Sequence, residues 1–337
     1  WIKINMENNK ELVKLLNKIS QILGSEDERF TNLLNQLKTS INPTNIAREA
    51  ETLAMKLIEE RYGKLPEITK IQIGDNKPKE IKGLTHSAFQ SILTLLANGE
   101  NVLLNGPSGT GKNVLGNQIA EALGLEFYCT PAIRQEYKLS GFIDANGNFV
   151  ETPFYKAWTN GGVYLFDEMD ASDATVILNI NSALANGYYE FPIGLKKKHK
   201  DFYILGAGNT LGNGGDRIYT AREELDASTI DRFAVVPFGY DEKLEREIAG
   251  DNKIYEFVTA VRKAVEDTGL RYVVSMRATK SLAQLYGKMD IEELVKYVIC
   301  KNMRQADIKT VVVNCKCSSN NPLFVALKNI ADRKSVV

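Results

Sequence analysis

The stretch Gly106-Pro107-Ser108-Gly109-Thr110-Gly111-Lys112-Asn113 constrains this chain more than any other. Its spacing is G-x-x-x-x-G-K, in which glycines let successive backbone N–H groups turn inward around phosphate oxygens while the lysine reaches the β and γ phosphates. The apolar run Val102-Leu103-Leu104 precedes it, and a helical pattern from Asn113 to Leu123 follows. The loop is therefore expected to join a buried strand to a helix whose positive dipole end faces the phosphate. All eight residues, Gly106 to Asn113, are expected to bind nucleotide. Asn113 stands where a Ser or Thr normally places a hydroxyl on Mg²⁺. An amide oxygen also ligates a hard cation, but it is bulkier and uncharged, so metal affinity is the weak point of the motif.

A second motif supports the first. Val163-Tyr164-Leu165-Phe166 is an apolar strand that ends in Asp167-Glu168, 55 residues after Lys112. Asp167 is expected to hold Mg²⁺, directly or through water, and Glu168 to act as general base on the attacking water. The simpler alternative is a solvated acidic turn, because Asp170 and Asp173 lie close by.

Between and around these motifs the chain alternates. Helical patterns cover Ser87 to Ala97, Asn113 to Leu123 and Ala174 to Asn186; short apolar strands cover Asn101 to Asn105, Gly162 to Phe166, Phe202 to Gly206 and Phe233 to Phe238. Such alternation predicts an α/β fold with a parallel sheet flanked by helices. Ahead of it, apolar positions three and four apart from Leu12 to Leu57 predict an N-terminal helical extension over residues 1–62, with 63–83 as a linker or loosely packed strand. The nucleotide-binding core is expected over 84–240 and a small helical lid over 241–310, leaving 311–337 as an unassigned tail.

Composition narrows the function classes. Lys plus Arg (42) cancels Asp plus Glu (42), so nucleic-acid binding is not favoured and would need a local patch such as Lys196 to Lys200. No apolar run approaches the roughly 18 residues of a membrane span, and the opening segment is charged, which predicts a cytoplasmic protein. Four cysteines and two histidines show no metal-ligand spacing and read as reduced thiols and ordinary histidines. Trp1 is not a translation start and Met6 is a candidate one, so residues 1–5 read as upstream sequence.

The order of motifs from about Gly83 to Leu285 resembles the AAA+ ATPases, specifically the MoxR-like and CbbQ/NorQ-like, dynein-related branch with its many phage-encoded members. The resemblance implies a P-loop NTPase core. It makes Leu205-Gly206-Ala207-Gly208-Asn209-Thr210 a first sensor, with Asn209 orienting the nucleophilic water beside Glu168. Leu225 to Phe233 is similar to the stretch in which Arg232 reaches the γ phosphate of the neighbouring subunit, although Arg222 competes for that role. Ser275-Met276-Arg277-Ala278 resembles a second sensor, with Arg277 contacting nucleotide from the lid. Arg232 and Arg277 also have the simpler alternative of exposed, solvated arginines.

Two insertions look like those of this branch: Ser140 to Val150, with a type I′ hairpin signal at Asn146-Gly147, and Tyr188 to Lys200, expected as a second hairpin with a basic tip. By resemblance the chain is expected to bind ATP and Mg²⁺, to form a homo-oligomer, commonly a hexameric ring, and to remodel a protein partner, in this branch often a von Willebrand factor A-domain protein. A DNA-directed motor or loader and a nucleotide-gated scaffold with little hydrolysis are the alternatives, the latter motivated by Asn113.

Overall fold

The computed structural model describes residues 68–71 and 79–333. The helices expected between residues 8 and 62 lie outside the described residues, as does part of the 63–83 linker. Within that linker, β1 (Ile68–Ile71) and β2 (Lys79–Lys82) pair antiparallel.

The chain then alternates helix and strand, beginning with α1 (Phe89–Ala97), β3 (Val102–Asn105), α2 (Lys112–Leu123) and β4 (Phe127–Thr130). Next come α3 (Tyr137–Ser140), β5 (Phe142–Ile143), β6 (Phe149–Val150), α4 (Pro153–Asn160) and β7 (Gly162–Phe166). A 3₁₀ turn (Met169–Ala171), α5 (Ala174–Asn186), β8 (Tyr188–Phe191), β9 (Gly194–Lys197), β10 (Phe202–Gly208), α6 (Ala227–Ile230) and β11 (Ala234–Pro237) complete the core.

Five of these strands form one parallel sheet in the order β11-β3-β10-β7-β4. Parallel strands joined by helices are covered on both faces, and the pleat sends alternate residues to opposite sides. Val102, Leu104, Val163, Leu165, Leu205 and Ala207 accordingly pack with α1 and α2. Leu103, Tyr164, Phe166 and Ile204 pack with α4 and α5. On that second face Phe154 is fully buried, with ring centres of Trp158 at 5.5 Å and of Tyr164 and Tyr189 each at 5.2 Å.

The strands and helices expected within the core are present, each end within two residues of its expected place. The sequence reading did not include β4, a half-buried edge strand with no continuous apolar run; its pairing with β7 makes it a strand.

Both insertions form hairpins, with two corrections. In the first, Phe142 pairs with Val150 and Ile143 with Phe149, so the loop spans 144–148 rather than a two-residue type I′ turn at Asn146-Gly147. The Asp144 carboxylate organises it by accepting from Asn146 N at 2.9 Å and Asn148 N at 2.8 Å. In the second, Phe191 pairs with Gly194, which puts Pro192-Ile193 at the tip and Lys196 and Lys197 on the return strand. The tip is therefore not basic. Trp158 Nε1 donates to Lys196 O at 3.1 Å and holds that strand against α4.

Six α-helices follow among the described residues: α7 (Glu242–Ala249), α8 (Asn252–Asp267), α9 (Met276–Leu285), α10 (Ile291–Val295), which runs on into a π-helical turn (Lys296–Cys300), α11 (Gln305–Asn314) and α12 (Pro322–Asp332). Their apolar faces share one cluster that includes Phe257, Leu282, Leu294, Val311, Leu327 and Ile330. The helical cluster thus runs past residue 310 and takes in most of the unassigned tail. A buried ion pair joins three of its helices: Arg262 donates to Glu245 at 2.8 and 2.6 Å, Thr279 Oγ1 donates to the same carboxylate at 2.5 Å, and the guanidinium stacks 3.8 Å from the centre of the Tyr240 ring.

Because Phe154 fills the centre of the aromatic face, Phe154→Ala is expected to lower unfolding free energy by about 3–5 kcal/mol. Urea unfolding followed by tryptophan fluorescence checks this, and a loss below about 1 kcal/mol would contradict the packing described.

Candidate nucleotide site

The sheet register decides where the site lies. Gly208 of β10 pairs with Asn105 of β3, and Gly206 of β10 pairs with Phe166 of β7. The residues that follow these three neighbouring strands, Gly106, Asn209 and Asp167, therefore leave the sheet side by side at its carboxyl edge, where open α/β sheets bind ligands. A cavity of about 660 Å³ opens there. Ser108 to Asn113, Asp167, Glu168, Asn209 and Arg277 all line it.

Two glycines of the loop answer to steric demands. A Cβ on Gly106 would lie 2.0 Å from Phe238 O, so β11 can run this close to the loop only where no side chain stands. Gly109 has φ +80°, and a Cβ there would meet the Ser275 side chain at 2.5 Å. Ser275 caps α9 by accepting from Arg277 N at 3.3 Å. The α9 helix therefore starts directly on the phosphate loop.

Ser108 is tied to three other segments. Its N–H donates to Tyr219 Oη at 2.9 Å, its carbonyl accepts from Tyr240 Oη at 3.0 Å, and its hydroxyl accepts from Arg277 Nη1 at 3.2 Å. Lys112 Nζ, folded back in the cradle, donates to Gly106 O at 2.5 Å, Pro107 O at 3.0 Å and Asn209 Oδ1 at 3.2 Å. Burial lowers its pKa from 10.5 to about 8, against the opposing pull of Asp167 and Asp170.

Asn113 Nδ2 donates to Asp167 Oδ2 at 3.0 Å, which sets an amide and a carboxylate beside each other at the start of α2. These hard oxygen donors fit Mg²⁺, which needs few protein ligands when phosphates and water complete its shell. Glu168 follows with a left-handed backbone, φ 50°, uncommon outside glycine, and its side chain is about half exposed.

Asp170, named at first only as a neighbouring acid, is 1% exposed and accepts from Asn209 N at 2.9 Å, Thr210 N at 2.8 Å and Thr210 Oγ1 at 2.9 Å. It holds the end of β10 in place, so the acidic turn is not simply solvated.

Residues that the sequence did not single out also line the cavity, among them Leu84, His86, Gln118, Leu244 and Ile248. His86 stacks on Phe238 at 3.9 Å and bonds to Gly239 O at 3.1 Å. The sequence analysis treated it as an ordinary histidine.

Two expected arginines separate. Arg277 reaches the loop from the lid. Arg232 is exposed, lies outside the cavity lining, and donates to Ser228 O just before β11. Arg222, the competitor for its role, is turned inward, beside Glu168 and Asp170.

Since nucleotide phosphates favour charged Lys112, ADP binding without metal is expected to take up a proton between the buried value of about 8 and the ordinary 10.5. Affinity should fall as pH rises through that window. Calorimetry in two buffers of different ionisation heat measures the uptake; its persistence in Lys112→Met would contradict the assignment to this lysine.

Residues 101–233 match the family model described as AAA domain (dynein-related subfamily). A Lon protease of Methanosarcina barkeri is 29% identical over 133 residues, covering 34% of this chain; the chain spans only 16% of that protein. Among solved structures, the Thermotoga maritima RuvB Holliday junction branch migration motor aligns with TM-score 0.40 and 16% identity, over 73% of this chain and 70% of that one. NtrX from Brucella abortus aligns with TM-score 0.41 and 16% identity, over 84% of this chain and 66% of its own. The sheet order and the strand-loop-helix at Gly106 to Lys112 give the core of this chain a P-loop fold, and residues 101–233 within it are similar to the dynein-related AAA domain.

Proposed function

We propose that the chain is a Mg²⁺-dependent ATPase that works as a ring of identical subunits and remodels a protein partner. One observation carries the enzymatic part: Lys112, Asn113, Asp167, Glu168 and Asn209, drawn from the carboxyl ends of three strands, line a single cavity. The division of labour follows from their chemistry. Loop amides from Ser108 to Asn113, the start of α2 and Lys112 hold the β and γ phosphates, the lysine exchanging its present carbonyl partners for phosphate oxygens. The part of the cavity beside His86 and Met276 takes the base. Asp167 and the Asn113 amide oxygen would hold Mg²⁺, which would supply positive charge to neutralise the phosphates.

Glu168 accepts the proton of the attacking water, and Asn209, fixed through Asp170, orients that water. Arg277 contacts the nucleotide from the lid through the same side chain that now reaches Ser108. The transition state spreads negative charge over oxygens that one subunit does not fully surround, and the exposed Arg232 supplies the missing cation to the next subunit. That arrangement requires an oligomer, for which a hexamer is the expected size.

A balanced charge and a hairpin tip of Pro192-Ile193 favour a protein over nucleic acid as the object of the work. Among described residues no helix is long and apolar enough to cross a membrane, in keeping with a cytoplasmic setting. A von Willebrand factor A-domain protein is the first partner to try. The scaffold alternative keeps one supporting observation, the Asn113 amide bonded to Asp167 where a hydroxyl would face the metal.

Phosphate release should be Mg²⁺-dependent, and Glu168→Gln is expected to lower kcat by about 10²–10⁴-fold while ATP still binds. Arg232→Ala should lower it by about 10³-fold or more, with specific activity of the wild type rising with protein concentration. Asn113→Thr is expected to halve-saturate at lower Mg²⁺. Turnover in Asn113→Thr but none in the wild type would replace the motor by the scaffold, and full activity of a strict monomer would refute the shared site.

A further inference from the structure

One buried charge at the cavity has no part in the scheme above. Arg222 sits between β10 and α6, its side chain 10% exposed. Its Nη2 lies 3.4 Å from Glu168 Oε1, its Nε 3.2 Å from Asp170 Oδ2, and its Nη1 donates to Ala221 O at 3.0 Å. The Nε approach is an ion pair only, since that N–H makes no hydrogen bond. The guanidinium also lies 5.7 Å from the centre of the Tyr219 ring, whose hydroxyl accepts from Ser108 in the phosphate loop.

The two carboxylates hold this arginine unequally. Asp170 is buried, already bonded to the end of β10, and its backbone carbonyl accepts from Glu223 N at 2.7 Å, next to Arg222 in the chain. A buried guanidinium needs such a partner. Glu168 is the less restrained partner: about half exposed, and touched by one long contact through a single oxygen. Its backbone is bound at Asp167, where Glu168 N donates to Oδ1 at 3.0 Å, but its carboxylate has only Arg222 to orient it among the recorded contacts. Holding Oε1 leaves Oε2 free to accept a proton.

We propose that Arg222, anchored on Asp170, is a positioning residue that acts in cis on the Glu168 carboxylate of its own subunit. It is thereby distinct from Arg232, whose exposed position suits action on a neighbour. The inference rests on the reading of Glu168 as general base. Because the anchor is the first residue past the 3₁₀ turn's opening and also fixes Asn209, one buried carboxylate aligns both groups that handle the attacking water.

Arg222→Lys is the informative variant, since an ammonium keeps a charge beside Asp170 while losing the forked reach to Glu168. In steady-state ATP hydrolysis by the full chain, kcat is expected to fall by up to about 10²-fold, with KM and ADP affinity changed by less than about twofold. Combined with Glu168→Gln, the same substitution should change the residual kcat by less than about twofold, because a residue acting through Glu168 has nothing left to position. Arg222→Ala serves as the harsher comparison, read alongside a thermal melt since it leaves Asp170 unpaired.

Subunit mixing separates cis from trans. Arg232→Ala mixed with Glu168→Gln should regain turnover at mixed interfaces, whereas Arg222→Lys mixed with Glu168→Gln should not. Regained turnover in the second mixture, or an undiminished effect of Arg222→Lys in the Glu168→Gln background, overturns the inference. So does a wild-type kcat that depends on Glu168 but is indifferent to Arg222→Lys, and in that case the ATPase reading stands. Absence of wild-type turnover, or an unchanged kcat in Glu168→Gln, instead overturns the reading of Glu168 and this inference with it.

Discussion

The parallel register of β3, β10 and β7 is the constraint on which the rest depends. Backbone hydrogen bonds align Asn105 with Gly208 and Phe166 with Gly206, and this alone brings Gly106, Asp167 and Asn209 to one edge. Their positions are as firm as the sheet, because both faces of these strands are buried under helices and a slip by one residue would turn apolar side chains to the wrong side. A site built on strand ends inherits the rigidity of the core. The Glu168 carboxylate and the Lys112 ammonium stand at the ends of longer, rotatable side chains.

Polar groups tie the helical lid to this edge. Gly109 makes room for Ser275, Arg277 bonds to Ser108, and Tyr240 connects the same serine to the buried Arg262–Glu245 pair. Replacing a buried pair by apolar residues is often neutral for stability, so such pairs are better explained by specificity of packing. Here the pair fixes α7, α8 and α9 together as a body that touches the core at the phosphate loop. A ligand that displaces Lys112 or reorients Ser108 acts on that contact first, which gives nucleotide a physical route to the lid.

Much of this was legible in the sequence. Gly106 to Asn113 and the run ending in Asp167-Glu168 are local patterns whose chemistry depends on covalent neighbours, and the apolar strands announce themselves because both faces are buried. Asp144 was harder to judge: the Asn146-Gly147 pair suggested a tight turn, but the aspartate's capture of two amides lengthened the loop. The edge strand β4 carries too weak a pattern to stand out, since its partner β7 rather than its own residues decides its conformation. His86 gave almost no sign, because a stacked ring bonded to Gly239 draws its meaning from a chain segment 153 residues away.

By itself, then, the sequence determined where the glycine-rich loop and the Asp167-Glu168 pair stand and that strands alternate with helices, for these follow from spacing along the chain. The two arginines show what lay beyond it. Arg222 and Arg232 are ten positions apart and chemically identical, and no periodicity distinguishes them. Only tertiary structure turns one inward onto Asp170 and Glu168 and leaves the other exposed before β11. The physical reason is that a charge takes its role from its desolvation and its partners, and both are set by segments distant in sequence that the fold brings within 4 Å or less.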